Sequence, residues 1–163
     1  MSLLGKTREI TPQKALERLQ RECSRREICE REALDKMRKW GVSSEISSKI
    51  LSRLKKDRFI DDARFARSFA LDRYRFSLYG RRKIAFLLRS KNIPSQIVEK
   101  ALEEIDSDEY YRLLKESISR KIDGKLHRES SDNIDYQLIQ KIMRQYVYRG
   151  YEPELIRRAI REI

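Results

Sequence analysis

The segment from Arg73 to Lys91 is rich in cations and contains no aspartate or glutamate. Its cationic side chains are those of Arg73, Arg75, Arg81, Arg82, Lys83, Arg89 and Lys91. A helix that only faces solvent normally interleaves acids with its cations, because opposite charges at i,i+4 stabilise it. The lack of acids here favours contact with phosphates or with an acidic protein surface. The alternative is that these cations pair with acids from another part of the chain, such as Glu99 or Glu103.

The same segment carries apolar residues at helical spacing. Ile84, Leu87 and Leu88 predict a buried stripe, so one face of this helix should build the core while the other carries charge. Gly80 permits close approach of a backbone, and the helix start after it offers unpaired amides to an anion. Just upstream, Arg64 and Arg67 belong to the predicted outer face of a preceding helix that has Phe65, Ala66 and Phe69 in the core. We therefore add Arg64 and Arg67 to the candidate binding residues.

Catalytic and metal-binding chemistry finds little support in the residue types. Asp61 and Asp62 are adjacent, so on a helix their carboxylates point apart, and capping and the helix dipole explain them without magnesium. His127 stands in a polar stretch without a nucleophile and base around it. Cys23 and Cys29, with one histidine, cannot supply a usual zinc site and are predicted to be reduced packing residues. We expect no enzymatic activity, no catalytic residue, no cofactor and no metal.

Composition limits the class of protein and its partners. The 163 residues include 38 lysines and arginines against 26 acids, a net charge of +12 that favours polyanionic partners. With 39% charged residues, 39% hydrophobic residues, 5 glycines and 3 prolines, the composition is typical of a helical protein. No apolar run approaches the roughly 20 residues that span a bilayer, and no secretory signal is recognisable. We expect a cytoplasmic protein that does not bind membranes.

The chain contains an internal repeat. The segments MRKWGVSSEISSKIL (Met37 to Leu51), LRSKNIPSQIVEKAL (Leu88 to Leu102) and YVYRGYEPELIRRAI (Tyr146 to Ile160) share one plan. Gly41, Asn92 and Gly150 are equivalent, at spacings of 92 − 41 = 51 and 150 − 92 = 58 residues. Glycine and asparagine most readily adopt the left-handed conformation that ends a helix. Each copy is therefore predicted to be a helix, a tight turn and a second helix.

Helical periodicity extends this plan to three helices in each copy. The helix after each turn is predicted to bury Ile46, Ile50 and Leu54; Ile97, Ala101 and Ile105; or Leu155, Ala159 and Ile163. An amphipathic segment precedes each pair, at about 12–28, 61–77 and 108–121. The predicted fold is thus all-α, with three tandem three-helix repeats at 1–60 (including an N-terminal extension), 61–106 and 107–163.

The end of the first helix and the position of the extra residues in the third repeat are less clear from the repeat pattern. Ser24-Arg25-Arg26-Glu27 has the pattern of a capping box that could start a helix at Ser24. We prefer the register that aligns Cys29 with Gly80, in which the first helix runs to about Ile28. The seven extra residues of the last spacing (58 − 51) are assigned to a polar connector at 123–135.

Several of these segments together resemble the RecX family of bacterial recombinase regulators. The segments are RREICERE (25–32), KMRKWG (36–41), FIDDARFA (59–66) and YGRRKIAFLLRSKNI (79–93). The resemblance covers about 12–163, and it implies an elongated, curved array that binds in the groove of the RecA–DNA filament. It also implies restraint of RecA ATP hydrolysis and strand exchange, in DNA repair, recombination and the SOS response. The implied partners are the RecA filament and single- and double-stranded DNA, bound by a monomer.

Two other functions are compatible with the residues. A helix-turn-helix protein acting directly on duplex DNA would place a helix such as Ser44 to Lys56 in the major groove. The corresponding helix at 96–105 carries Glu99, Glu103 and Glu104, a poor complement to DNA. A scaffold without nucleic acid is the other alternative. Among the tyrosines of the last turn, Tyr146, Tyr148 and Tyr151, a place in the core or an interface is favoured over base stacking.

Overall fold

The structure is a computed structural model that describes residues 10–129 and 136–163. Within those ranges the regular secondary structure consists of nine α-helices, and the expected all-α repeat fold is confirmed. In chain order the helices are α1 Pro12–Cys23, α2 Glu30–Lys39, α3 Ser44–Lys56, α4 Asp62–Arg75, α5 Arg81–Ser90, α6 Ser95–Glu103, α7 Ser107–Glu129, α8 Tyr136–Tyr148 and α9 Pro153–Arg161.

The turn between the second and third helix of each repeat has the predicted geometry. Gly41, Asn92 and Gly150 have φ values of 77°, 59° and 91°, all left-handed. The residue after each turn donates its amide back to the preceding helix, as in the hydrogen bond of 3.0 Å from Val42 to the Met37 carbonyl. This closure satisfies the carbonyls that a helix end leaves free.

The third helix of each repeat buries nearly the face that its periodicity predicts. Ile50, Leu54, Ala101, Ile105 and Ala159 are buried, while Ile46, Ile97 and Leu155 are partly buried. Ile163 is 43% exposed, and its predicted burial is wrong because α9 ends at Arg161. The stripe has a further member in each copy that periodicity did not single out. These residues are Ser47, Val98 and Ile156, which are at most 4% exposed.

The chain leaves α1 earlier than predicted. The helix ends at Cys23 rather than Ile28, and no helix starts at Ser24, whose hydroxyl instead donates to the Arg21 carbonyl at 2.7 Å. Ile28 and Cys29 are both fully buried, but in different hydrophobic clusters. Successive side chains point to opposite sides only on extended backbone, so packing favours the extended conformation of Cys29 (φ −86°, ψ 166°) over another helical turn.

The polar stretch of the third repeat is helical over most of its length. α7 continues to Glu129, so the connector predicted at 123–135 is wrong as far as residue 129, and His127 lies within that helix. Residues 130–135 lie outside the described part of the chain. The apolar stripe of Tyr110, Leu114, Ile118 and Ile122 is buried at four-residue intervals. That regular packing gives α7 a reason to extend through Gly124 despite the low helix propensity of glycine.

The buried apolar residues in the described part of the chain form two hydrophobic clusters. One contains only residues of the first repeat, including Leu19, Met37 and Leu54. The other runs continuously through α4–α9 and also includes Cys29. The second and third repeats therefore share a core, whereas the first repeat has its own. Cys23 and Cys29 are free thiols, and burial raises the pKa of both, as expected for packing residues.

Candidate nucleic-acid interface on the middle repeat

The cation-rich segment forms α5 and the turn before it. Gly80 is the N-cap of α5, and Ile84, Ala85 and Leu88 are its buried residues. Leu87 is only partly buried, and Ala85 completes the inward face instead. The expected division of α5 into a core face and an outer face is therefore present, with a slight rotation of the core face.

Three of the amides at the start of α5, where anion binding was predicted, already have acceptors. The Gly80 amide donates to the Arg149 carbonyl at 2.8 Å, and the Arg82 amide donates to the Gly150 carbonyl at 3.1 Å. The Arg81 amide donates to the Tyr110 hydroxyl at 3.0 Å. The third repeat thus supplies acceptors for these three donors, and the prediction that they are free for an anion is wrong.

Among the residues that the structure describes, five of the nine candidate cations form ion pairs, and four of those pairs join the middle repeat to a neighbouring repeat. Toward the first repeat, Arg64 pairs with Glu27 and Lys91 with Glu32, both at 2.7 Å. Toward the third repeat, Arg75 pairs with Glu109 at 3.0 Å and Arg81 with Glu152 at 3.6 Å. Arg67 pairs with Glu104 at 2.5 Å within the middle repeat. Acids do neutralise these cations, although Glu99 and Glu103 are not among them.

The other four cations have no acidic partner within the described residues. The Arg73 guanidinium lies 4.8 Å from the Phe69 ring centre and 3.3 Å from the Ser77 hydroxyl. The Lys83 ammonium lies over the rings of Tyr79 and Tyr148, at 4.3 and 4.8 Å. Arg82 and Arg89 are exposed and make no ion pair or side-chain hydrogen bond in this part of the chain. They are the cations most available to an external partner.

An exposed aromatic residue lies between these two arginines. Phe86 is 69% exposed, four residues after Arg82 and three before Arg89, so the three side chains share one helix face. We call this set the α5 stripe. Sequence reasoning did not select Phe86, although its position off the apolar stripe of Ile84 and Leu88 was a usable signal.

The tyrosines of the last turn divide between core and surface. Tyr146 and Tyr151 are at most 2% exposed and their rings pack together, and Tyr151 also packs against Tyr110, which confirms the expected core or interface role for those two. Tyr148 is 79% exposed and takes no part in the core. Burial raises the pKa of Tyr110 and of Tyr151, so both hydroxyls stay protonated at neutral pH. The Tyr110 hydroxyl can therefore donate to Glu152, at 2.9 Å, while accepting from Arg81.

The adjacent aspartates have structural partners. Asp61 caps α4 by accepting from the Arg64 amide at 3.0 Å, and Asp62 accepts from the Glu30 amide at 2.9 Å across the junction with the first repeat. Among the residues that the structure describes, no three histidine, cysteine, aspartate or glutamate side chains are grouped as metal ligands would be. In the same residues, no helix has the length and hydropathy needed to cross a bilayer.

The sequence is similar to those of known proteins. Residues 61–102, which contain α4, α5 and α6, match the family model described as "RecX, second three-helix domain". The chain is 28% identical over 138 residues to "Regulatory protein RecX" of Caldanaerobacter subterraneus subsp. tengcongensis. It is 39% identical over 82 residues to "Regulatory protein RecX" of Prosthecochloris aestuarii. The chain is similar to proteins of the RecX family.

The extent of these matches differs between sequence and structure. The matches cover 84% and 50% of this chain but only 64% and 54% of those two relatives. The crystal structure of RecX from Lactobacillus salivarius is similar in fold, with a TM-score of 0.76 at 21% identity over 93% of this chain and 95% of that one. The names of these RecX-family relatives describe regulatory proteins rather than enzymes.

Proposed function

We propose that this protein is a non-enzymatic regulator, mainly an inhibitor, of the RecA recombinase. It binds the RecA–DNA filament as a monomer and restrains ATP hydrolysis and strand exchange during DNA repair and recombination. The observation that carries the proposal is the match of residues 61–102 to the family's second three-helix domain. That stretch contains the acid-free basic segment with Arg82 and Arg89, which have no side-chain partner within the described ranges.

The paired and the unpaired cations have different roles in the proposed mechanism. Arg64, Arg75, Arg81 and Lys91 hold adjacent repeats in a fixed relation through ion pairs. A rigid array of repeats can contact neighbouring protomers of a filament at once, and contacts that favour one filament state shift the whole assembly toward it. The unpaired cations of the middle repeat then supply the attraction to filament DNA or to an acidic recombinase surface.

The test is RecA's single-stranded-DNA-dependent ATPase, with this protein titrated substoichiometrically at a fixed salt concentration. Wild type should inhibit well below one molecule per recombinase. Arg82→Ala combined with Arg89→Ala should inhibit at least about tenfold less strongly, because two unpaired charges are worth more than 1.4 kcal/mol at a polyanionic surface. Neither arginine has a partner within the described residues, so the fold should be unaffected.

The matched control removes the same charge at the equivalent positions of the first repeat. Arg31→Ala with Arg38→Ala deletes two arginines that already pair with Asp35. Inhibition should remain close to wild type in this control. No inhibition by folded wild-type protein would refute the proposed function, and equal loss in both double variants would reduce the role of α5 to general charge.

Direct action on duplex DNA is the alternative that the sequence left open. Within α3, Lys49 pairs with Glu45 and Arg53 pairs with Asp57, so two cations suited to a recognition helix are engaged. A sequence-selective footprint on duplex DNA in the absence of RecA would favour this alternative.

A further inference from the structure

The α5 stripe differs from its counterpart in the first repeat at one decisive position. The 51-residue spacing makes Arg31, Asp35 and Arg38 the equivalents of Arg82, Phe86 and Arg89. In α2, Asp35 binds both arginines, at 3.0 Å from Arg31 and 2.6 Å from Arg38. In α5 the aspartate is replaced by phenylalanine, and neither arginine has an acidic partner among the residues that the structure describes.

The third repeat has neither arrangement. The 58-residue spacing makes Gln140, Arg144 and Val147 its equivalents, with a single cation and no aromatic residue. The repeats therefore present one neutralised arginine pair, one free pair with an aromatic residue between, and one face with a single cation.

We propose that the α5 stripe binds single-stranded DNA, with Phe86 stacking on a base and Arg82 and Arg89 binding the phosphates on either side. The equivalent position on α2 does not bind DNA in this way, because Asp35 pairs with both arginines there. This inference rests on the proposed function, because the RecA filament is built on single-stranded DNA. It identifies Phe86 as the residue that contacts a base. It confines base contact to the middle repeat.

The chemistry of the stripe fits a strand better than it fits a duplex or an acidic protein. Along the axis of α5, Arg82 and Arg89 lie about 6 Å and about 4.5 Å from Phe86, given a rise of 1.5 Å per residue. Cation, aromatic, cation is also the order in which a single strand offers phosphate, base and phosphate. The bases of a duplex are stacked on one another, so a ring on a convex helix surface cannot reach their faces. An acidic protein surface would complement the arginines but would give the 69% exposed Phe86 ring no stacking partner.

The test compares two labelled oligonucleotides of equal length and charge by fluorescence anisotropy. One is oligothymidylate and the other is an abasic strand with the same number of phosphates. Wild type should prefer oligothymidylate. Phe86→Ala should weaken binding to it by about 5- to 150-fold, the range for one stacked base, and should leave the abasic affinity unchanged. Phe76→Ala is the matched control, because Phe76 is also exposed, at 81%, but lies outside the stripe.

A second pair of variants tests the comparison between repeats. Phe86→Asp copies the α2 arrangement into α5, so it should remove the base preference and also reduce the salt dependence of binding, since both arginines become paired. Asp35→Phe copies the α5 arrangement into α2 and should add a second strand-binding site, measured as doubled stoichiometry. Phe86 is exposed and the Asp35 side chain is 34% exposed, so circular dichroism checks that the variants fold.

The outcomes separate this inference from the proposed function. Loss of base preference in Phe86→Ala supports the inference, whether or not wild type inhibits RecA. Equal binding of wild type to the two strands, or an unchanged preference in Phe86→Ala, overturns it even if inhibition of RecA is strong. Displacement of oligothymidylate by polyglutamate at equal charge concentration would also overturn it and would indicate an acidic protein partner instead.

Discussion

The contact between Gly80 and Gly150 leads to a sharp prediction about stability. A Cβ atom at position 80 would lie 2.1 Å from the Gly150 carbonyl carbon and 2.2 Å from both its oxygen and the Tyr151 nitrogen. All three are backbone atoms, so no flexible side chain can move away to make room. Gly80→Ala must therefore separate the start of α5 from the turn between α8 and α9.

The hydrogen bonds at this contact set the size of the effect. Separation breaks the bonds from Gly80 to Arg149 (2.8 Å) and from Arg82 to Gly150 (3.1 Å). Each is worth about 0.5–1.5 kcal/mol net, and a group left buried without a partner costs about 1–3 kcal/mol. We expect Gly80→Ala to lower the free energy of unfolding by about 2–4 kcal/mol.

Gly124→Ala provides a control of opposite sign. Apart from its chain neighbours and the backbone of its own helix, nothing lies within 4 Å of a Cβ at that position, and Gly124 is inside α7. Both substitutions restrict the unfolded chain similarly, but at Gly124 the better helix propensity of alanine should raise stability by about 0.5–1 kcal/mol. Guanidinium unfolding followed by circular dichroism measures both, and hydrogen exchange of the Arg82 amide reports the junction itself. A Gly80→Ala protein within about 0.5 kcal/mol of wild type, with the Arg82 amide still protected, would refute the reasoning.

Two carboxylates at the junction between the first and second repeats should affect stability in opposite directions with pH. Burial alone would raise the pKa of Glu32, but Lys91 and Arg26 outweigh it and the pKa is lowered. The ionised Glu32 carboxylate therefore stabilises the fold fully above about pH 4.5, and this stabilisation is lost as pH falls through the lowered pKa. Glu32→Gln should lower the free energy of unfolding by about 1–2 kcal/mol at pH 7 and should be as stable as wild type in acid. Burial raises the pKa of Asp62, despite the hydrogen bond from the Glu30 amide, so its ionisation disfavours the fold once pH exceeds that pKa. Asp62→Asn keeps an acceptor, so its free energy of unfolding should equal that of wild type or exceed it by up to about 1 kcal/mol at pH 7, with no gain at pH 3. Urea unfolding at both pH values measures the two variants. A loss of stability in Asp62→Asn at pH 7 would contradict the prediction.

Much of the fold follows from local patterns in the sequence. The turns at Gly41, Asn92 and Gly150 were predictable because few residue types accept a left-handed conformation, and the repeat places them at equivalent positions. The buried stripes were largely predictable because helical periodicity fixes which side chains share a face. The end of α1 was not, because it depends on Ile28 and Cys29 entering different clusters, which a local pattern does not encode.

The candidate site was also only partly predictable from the sequence. The sequence showed that the segment from Arg73 to Lys91 lacks acids, but a local pattern does not tell which cations are free. Distant acids such as Glu32, Glu109 and Glu152 reach Lys91, Arg75 and Arg81 only after the repeats pack.

The sequence by itself determined that the chain is basic and all-α, that it contains three repeats, and that the middle copy carries a run of cations without acids. Those properties depend on composition and on spacings within a few helical turns. Only the tertiary structure decided that four of the nine candidate cations pair with acids of a neighbouring repeat. It also decided that Arg82 and Arg89, beside Phe86, have no acidic partner among the described residues. The physical reason is that an ion pair depends on the distance between two charges in space, and residues far apart in the chain acquire that distance only when the repeats pack.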